Sequence, residues 1–179
     1  MPHWLRAGLL GLALAFAVAG FAPDPAVSDY RLGAADKVRI VVFGEDALGG
    51  EVVVNAEGKV ALPLIGEVQA ACLTIAQLQD AVAQALSQGY LNQPRVTAQV
   101  LTYRPFYILG EVNRPGEYPY VPDLTVLNAV ATAQGFTYRA NTRRVFVRRA
   151  GSLTEDIQPL TADARVSPGD TLRIGERYF

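Results

Sequence analysis

Histidine is scarce in this sequence, because its 179 residues contain only His3. The rest of the chain therefore has no imidazole for a Ser-His-Asp or Cys-His mechanism or for the common zinc sites. It also lacks a G-x-S-x-G motif, a P-loop and a G-x-G-x-x-G motif. Carboxylates are plentiful, so a hydrolytic carboxylate pair stays open on residue type. Since most of them occupy turns or helix ends, we expect that the protein is not an enzyme and binds no cofactor.

Cysteine and an excess of one charge are lacking too. Cys72 is the one cysteine, so an internal disulfide is excluded, and its neighbours Ala70, Ala71 and Leu73 predict a small buried apolar residue. A reactive thiol beside a helix start is the less favoured alternative. With 16 Lys+Arg against 17 Asp+Glu, the chain gives no electrostatic reason to expect a nucleic-acid partner.

Long hydrophobic runs are absent beyond the N-terminus. Arg6 precedes an apolar run, residues 7–19, that is shorter than the roughly 20 residues a membrane-spanning helix needs. Ala17-Val18-Ala19 then fits a signal-peptidase site, which predicts a signal peptide over residues 1–19 and a periplasmic protein. An uncleaved anchor is the alternative. No cysteine follows the run, so lipidation is not expected.

The N-terminal half predicts several strands and one helix. Thr74 and Gln77 have the spacing of a capping box, and the apolar positions after them recur at helical intervals until Gly89. Pro63 cannot donate to a sheet ladder, so it predicts an edge or a bulge in its strand. The predicted strands are residues 38–43, 51–55, 60–64 and a half-buried segment from 96 to about 103.

The C-terminal half predicts a second unit of strands with one helix. Strands are predicted at residues 106–109, 118–121, 145–147 and 171–174, with a helix from about Leu124 to Gln134 that is ended by Gly135. Leu127 and Ala131 are among the apolar residues expected on its buried face. The whole pattern predicts an α+β fold: a β-rich domain with one helix, followed by a second with one helix.

A tight turn is predicted between the first two strands of this half. Arg114-Pro115-Gly116-Glu117 fits a type II turn, in which Pro115 sets φ and Gly116 takes positive φ. On that interpretation, Gly116→Val destabilises the second domain by about 1–3 kcal/mol.

Two segments echo each other. Residues 32–40 and 166–174 each contain a turn, an aspartate and a strand that includes Arg-Ile. We interpret Asp36 and Asp170 as side chains that bond their own turn backbone just before a strand. A ligand role for them is the less favoured alternative.

An arginine group surrounds the predicted strand at residues 145–147. It comprises Arg139, Arg143, Arg144, Arg148 and Arg149. One interpretation is a charged strand border that resists edge-to-edge aggregation. The other is contact with an acidic glycan or with carboxylates of a neighbouring subunit.

These motifs together resemble one family, the bacterial outer-membrane polysaccharide export proteins. Residues 30–44 (YRLGAADKVRIVVFG) are similar to the opening of its export domain, and residues 55–66 (NAEGKVALPLIG) to its central motif. FYILGEVNRPG at 106–116 and TVLNAVATAQGFTYRA at 125–140 resemble the soluble-ligand-binding β-grasp (SLBB) repeat. The resemblance implies an export domain over residues 28–103 and a β-grasp domain over 104–179.

The resemblance also marks structural turns. The turn residues are Asp36, Gly58, Pro63, Gly66, Gly110, Pro115, Gly116, Gly135, Pro168, Gly169 and Asp170. At three positions this chain departs from a usual glycine: Ala35 within Ala34-Ala35-Asp36, Cys72 before the first helix, and Gln134 within Ala133-Gln134-Gly135. These departures are local changes in turns.

The resemblance implies assembly rather than catalysis. Long members of that family form rings that conduct a polysaccharide and meet an inner-membrane co-polymerase across the periplasm. A short, non-lipidated member implies a homo-oligomeric ring segment, associated with the outer membrane through a separate outer-membrane β-barrel. A monomeric periplasmic glycan-binding module and a glycan-cleaving enzyme are the alternatives.

Overall fold

A computed structural model describes residues 30–177 of the chain. The predicted signal peptide lies outside the described residues. Within residues 30–177, no helix is both long and apolar enough to cross a lipid bilayer.

The N-terminal part (residues 30–103) combines a small sheet, a hairpin and one helix. Its elements are β1 Lys37–Val42, a 3-10 turn Asp46–Leu48, β2 Gly50–Val53, β3 Lys59–Leu62, β4 Gly66–Gln69, α1 Ile75–Ser87 and β5 Val96–Thr102. The sheet has the order β2-β1-β5 with antiparallel neighbours, and β3 pairs with β4 as a separate hairpin.

Helix α1 forms as its sequence predicts. The Thr74 side chain accepts a hydrogen bond from the backbone N–H of Gln77, and the Gln77 side chain accepts one from the backbone N–H of Thr74. This confirms the capping box, which satisfies two N–H groups at the helix start. Leu78, Val82 and Leu86 are buried against β5 and the hairpin. They join β1 residues in the core of this part.

The C-terminal part (residues 104–177) is one mixed sheet covered by one helix. Its elements are β6 Phe106–Gly110, β7 Gly116–Tyr118, α2 Val126–Thr132, β8 Ala140–Arg148, β9 Asp156–Pro159 and β10 Thr171–Glu176. The sheet order is β7-β6-β10-β8-β9, in which only the β6–β10 pair is parallel. Phe106, Val145, Val147 and Leu172 lie in its core with the buried residues of α2. The predicted α+β class, with one helix in each part, is confirmed.

The predicted type II turn is wrong. Gly116 does not have a positive φ; it begins β7 and lies opposite Ile108 in the ladder. A Cβ added at Gly116 would have no atom within 4 Å. The expected destabilisation by Gly116→Val therefore loses its basis. Gly110 instead takes positive φ at the end of β6, where a Cβ would lie 2.1 Å from the Ile174 carbonyl oxygen.

Three further local predictions need correction. Cys72 is exposed rather than buried and has a φ of 66°. Pro63 follows the end of β3 and lies in the hairpin turn, where its carbonyl accepts from Ile65. Helix α2 is shorter than predicted, and Leu127 and Ala131 are exposed while Ala129 is buried. Strands β4 and β9 were not anticipated, because both are short and mostly exposed.

Candidate functional site at the junction of the two parts

Arg104 makes hydrogen bonds that connect the two parts. Its backbone N–H donates to Oδ1 of Asp36 at 2.8 Å, and its side-chain Nε donates to the Pro168 carbonyl at 2.9 Å. Arg104 therefore bonds one predicted turn with its main chain and the other with its side chain. Pro168 is buried, so its carbonyl depends on this donor.

Two glycines make room for the Arg104 side chain. A Cβ on Gly33 would lie 1.4 Å from its Nη1, and one on Gly169 would lie 2.9 Å from its Nε. Side chains at either position would displace the guanidinium. The junction is thus a packed contact between the parts and not a loose linker.

The Asp36 turn is fully satisfied. Oδ2 of Asp36 accepts from the backbone N–H of Gly33 at 2.8 Å and from the Tyr30 hydroxyl at 2.5 Å, while Oδ1 accepts from Arg104. The side chain has no exposed surface. Hydrogen bonds to both oxygens offset the cost of burying the carboxylate.

The Asp170 turn has the same local hydrogen bond but different partners for the rest of its carboxylate. Oδ2 of Asp170 accepts from the backbone N–H of Ser167 at 2.8 Å and from Nη1 of Arg149 at 2.5 Å. Oδ1 is buried and has no partner within residues 30–177. Both aspartates bond their own turn backbone, as the sequence suggested.

Three tyrosines form a row across the junction. The ring centroids of Tyr30 and Tyr103 are 5.0 Å apart, those of Tyr103 and Tyr120 are 5.4 Å apart, and both pairs meet edge to face. Burial raises the pKa of all three phenols, and the hydrogen bond to Asp36 raises the pKa of Tyr30 further. The row is therefore neutral at physiological pH.

An open cleft of about 450 Å³ lies beside the tyrosine row. Pro122, Leu124 and Val166 supply its apolar walls, and the ion pair of Asp123 with Arg165 lies at its edge. An apolar lining with few polar groups is typical of sites that bind organic ligands. Within the described part of the chain, no group of three metal-ligating side chains is placed to hold a metal ion.

The arginine group divides in the structure. Arg139 pairs with Glu176 and Arg149 with the buried Asp170, while Arg148 reaches the Thr171 hydroxyl at 3.4 Å. Arg143 and Arg144 form no salt bridge within residues 30–177, and both are exposed on β8. With Arg177 and Tyr138 they line a second, polar cleft of about 560 Å³. A binding role for the five arginines stays a prediction.

The predicted turn residues are dispersed rather than gathered into one site. Asp36, Pro168, Gly169 and Asp170 meet at the junction. The others lie near the ends of strands or of α2: Gly58 precedes β3, Gly66 begins β4, Gly110 ends β6, Pro115 precedes β7, and Gly135 follows α2. Their functional importance is not tested by these positions.

Sequence reasoning missed the residues that build the junction. Tyr103-Arg104-Pro105 stood at the predicted domain boundary, and an arginine between an aromatic residue and a proline was the available signal. Tyr30 and Tyr120 carried no local signal, because their contacts with Tyr103 join residues that are distant in sequence.

Comparison with known proteins accounts for both parts. Residues 24–101 match the family model described as polysaccharide biosynthesis/export protein, and residues 105–157 match the SLBB domain model. The chain is 34% identical over 146 residues to the exopolysaccharide production protein ExoF of Rhizobium meliloti, which covers 74% of this chain and 35% of ExoF. It is 26% identical over 171 residues to the polysialic acid transport protein KpsD of Escherichia coli, which covers 90% of this chain and 30% of KpsD.

This chain thus spans about a third of the length of the curated relatives it matches. The two family models match consecutive stretches that meet at the Arg104 junction. On these matches, the chain belongs to the polysaccharide biosynthesis/export protein family.

Proposed function

We propose that this chain is one subunit of a periplasmic ring or channel segment that guides an exported polysaccharide toward the outer membrane. The observation that carries the proposal is the Arg104 junction between the export-type and SLBB-type stretches. Because Arg104 bonds Asp36 on one side and Pro168 on the other, the two domains form one building block. We place the domain boundary between Tyr103 and Arg104.

Opposite charge on the two parts supports head-to-tail assembly. Residues 30–103 hold five Lys+Arg and seven Asp+Glu, whereas residues 104–177 hold ten Arg and eight Asp+Glu. Opposite net charge, here −2 against +2, steers and orients association. A contact between unlike faces of identical subunits closes into a ring when the rotation allows it. We therefore infer a homo-oligomer.

The proposed role is passive. The two fully buried carboxylates, Asp36 and Asp170, are engaged in turn bonds and in contacts with Tyr30 or Arg149. They are too enclosed to act on a polymer. The relatives carry names of production and transport proteins. We infer that the work requires an inner-membrane co-polymerase and a separate outer-membrane partner, with polysaccharide as the cargo.

Arg143 and Arg144 are the best candidates for a subunit or partner contact. The other three arginines are engaged within the chain, and removing Arg149 would leave the buried Asp170 without its cation. The informative variant is therefore Arg143→Gln/Arg144→Gln, with Arg95→Gln/Arg114→Gln as a control on exposed arginines elsewhere. We expect normal folding of both, and salt-dependent loss of assembly in the first alone. Normal assembly of the first would support a solvated strand border.

The export role is tested in a producing strain from which this chain has been deleted. We expect less polysaccharide outside the cells and retained polymer inside, with recovery when the wild-type chain is supplied. Unchanged secretion would overturn the proposed function. Degradation of the polymer by the purified chain would support the enzymatic alternative instead.

A monomeric glycan-binding module is the second candidate. The tyrosine-lined cleft favours this candidate, because an aromatic cleft is able to bind a ligand in a single chain, without an oligomer. The two candidates differ in the mass of the particle in solution. A ring subunit should form particles heavier than one chain, whereas a monomeric module should not.

A further inference from the structure

We propose that the cleft beside Tyr30, Tyr103 and Tyr120 binds a short stretch of the exported polysaccharide through the faces of its sugar rings. The inference rests on the proposed function and adds the site and the chemistry of contact. The bound group is a pyranose segment, neutral or acidic.

The shape of the tyrosine row suits sugar rings. A pyranose has one face of C–H groups, which packs on an aromatic ring, and a rim of hydroxyls that needs hydrogen-bond partners. Tyrosine offers both in one side chain, an apolar body with a polar tip. The three rings are only half-buried, so part of each stays available to a ligand.

The row is held in place before any ligand arrives. The Tyr30 hydroxyl is fixed by Asp36, and Tyr103 packs edge to face between its two neighbours. A preformed aromatic surface loses little conformational freedom on binding. Since burial raises the pKa of Tyr103 and Tyr120, their hydroxyls remain protonated and are able to donate to sugar oxygens.

The edge of the cleft supplies charge. Arg165 and Asp123 form an ion pair there whose side chains are more than half exposed. Exposed pairs of this kind contribute little to stability, so either partner is able to exchange its bond for a ligand group. Arg165 fits a uronic or sialic carboxylate bidentately, and Asp123 fits sugar hydroxyls. The volume of about 450 Å³ lies within the range of sites for organic ligands.

The test titrates the full chain with oligosaccharides obtained by partial hydrolysis of the polysaccharide that the producing cell secretes. Binding is measured by calorimetry and by NMR shifts of the tyrosine ring protons. We expect Tyr120→Ala to weaken binding at least tenfold and Tyr120→Phe to weaken it less. Tyr90→Ala, which removes an exposed tyrosine outside both clefts, serves as the matched control and should bind as the wild type does.

Wild-type affinity in Tyr120→Ala would overturn the proposal. So would oligosaccharide binding that leaves the tyrosine ring signals of the wild-type chain unmoved, a readout that needs no variant to fold. Ring signals that move only when the periplasmic domain of a co-polymerase is added would assign the cleft to a protein partner. Secretion that persists without oligosaccharide binding would refute the cleft alone, whereas unchanged secretion in the deletion strain would refute the export role.

Discussion

The Asp36 and Asp170 turns share the same local hydrogen bond but differ in how many further partners each buried carboxylate has. In each, Oδ2 accepts from a backbone N–H three residues earlier at 2.8 Å, and the side chain is buried. The Asp36 carboxylate also accepts from the Tyr30 hydroxyl and from the main-chain N–H of Arg104, and the second bond does not depend on the Arg104 side chain. Asp170 gains only the side chain of Arg149, and its Oδ1 has no partner within residues 30–177. The aspartate and the N–H three residues earlier therefore form the turn in both places, while residues elsewhere in the chain determine how well each carboxylate is satisfied.

The two turns also differ at the residue just before the aspartate. Gly169 has a φ of 82° and Ala35 a φ of 74°, so both are left-handed. Cys72 and Gln134, with φ of 66° and 64°, are likewise left-handed. All three non-glycine residues stand where the resemblance implies glycine, and their left-handed backbone carries local strain at those turns.

The largest expected effect comes from the isosteric change of aspartate to asparagine. In Asp36→Asn, the new NH₂ group must face an N–H donor at either oxygen position, which should cost about 2–3 kcal/mol. In Asp170→Asn, the NH₂ group takes the place of the unpartnered Oδ1 and faces no N–H donor, so the loss should be the smaller of the two, about 1–2 kcal/mol. Chemical denaturation of both variants measures the difference. Equal losses would show that the two turns are equivalent.

Arg104→Ala should follow in size. It leaves the buried Pro168 carbonyl without its donor, at a cost of about 1–3 kcal/mol, while the Asp36 bond to the main chain survives. Calorimetry should show the C-terminal part unfolding at lower temperature than the N-terminal part. Arg31→Ala is the control, because Arg31 also donates to a backbone carbonyl, that of Cys72, but on the exposed surface of one part. A single unshifted transition for Arg104→Ala would contradict the interlocking role.

Alkaline pH should weaken the Asp36 turn, because it ionises the Tyr30 hydroxyl that bonds Asp36; the Asp170 turn has no such partner. Burial, followed by the hydrogen bond to Asp36, raises the pKa of Tyr30 above its ordinary value of 10.0. The neutral phenol therefore stabilises the fold fully below about pH 10, and this contribution is lost as the pH rises toward the folded-state pKa. Melting temperatures measured upward from pH 9 should fall in the wild type and fall less in Tyr30→Phe. Identical profiles would show that Tyr30 does not carry the effect.

Ala35→Gly should have the smallest effect and the opposite sign. It relieves the left-handed alanine at the cost of a more flexible unfolded chain, for a net gain of about 0.5–1 kcal/mol. Gly169→Ala, the reciprocal change, should destabilise, because its Cβ would meet Arg104. Thermal unfolding of the two variants decides this, and a loss in Ala35→Gly would mean that the alanine is not strained.

Features that depend on residues close together in sequence could be predicted from the sequence, whereas those that depend on distant residues could not. Helix α1 was recognised because Thr74 and Gln77 are three residues apart, and the aspartate turns because their bonds are equally local. The Gly116 turn failed because the ladder with β6, and not the Pro-Gly pair, sets that backbone. The tyrosine row was invisible because Tyr30 and Tyr120 meet only through Tyr103 once both parts are folded.

We propose that the chain works by assembling, with its two parts of opposite net charge joined through the hydrogen bonds of Arg104. The most direct measurement is the mass of particles in solution by mass photometry, for the purified protein alone and with the periplasmic domain of the co-polymerase. We predict particles several times the 19.3 kDa of one chain in at least one of these conditions, with their number falling at high salt. Particles with the mass of a single chain in both conditions would contradict the account.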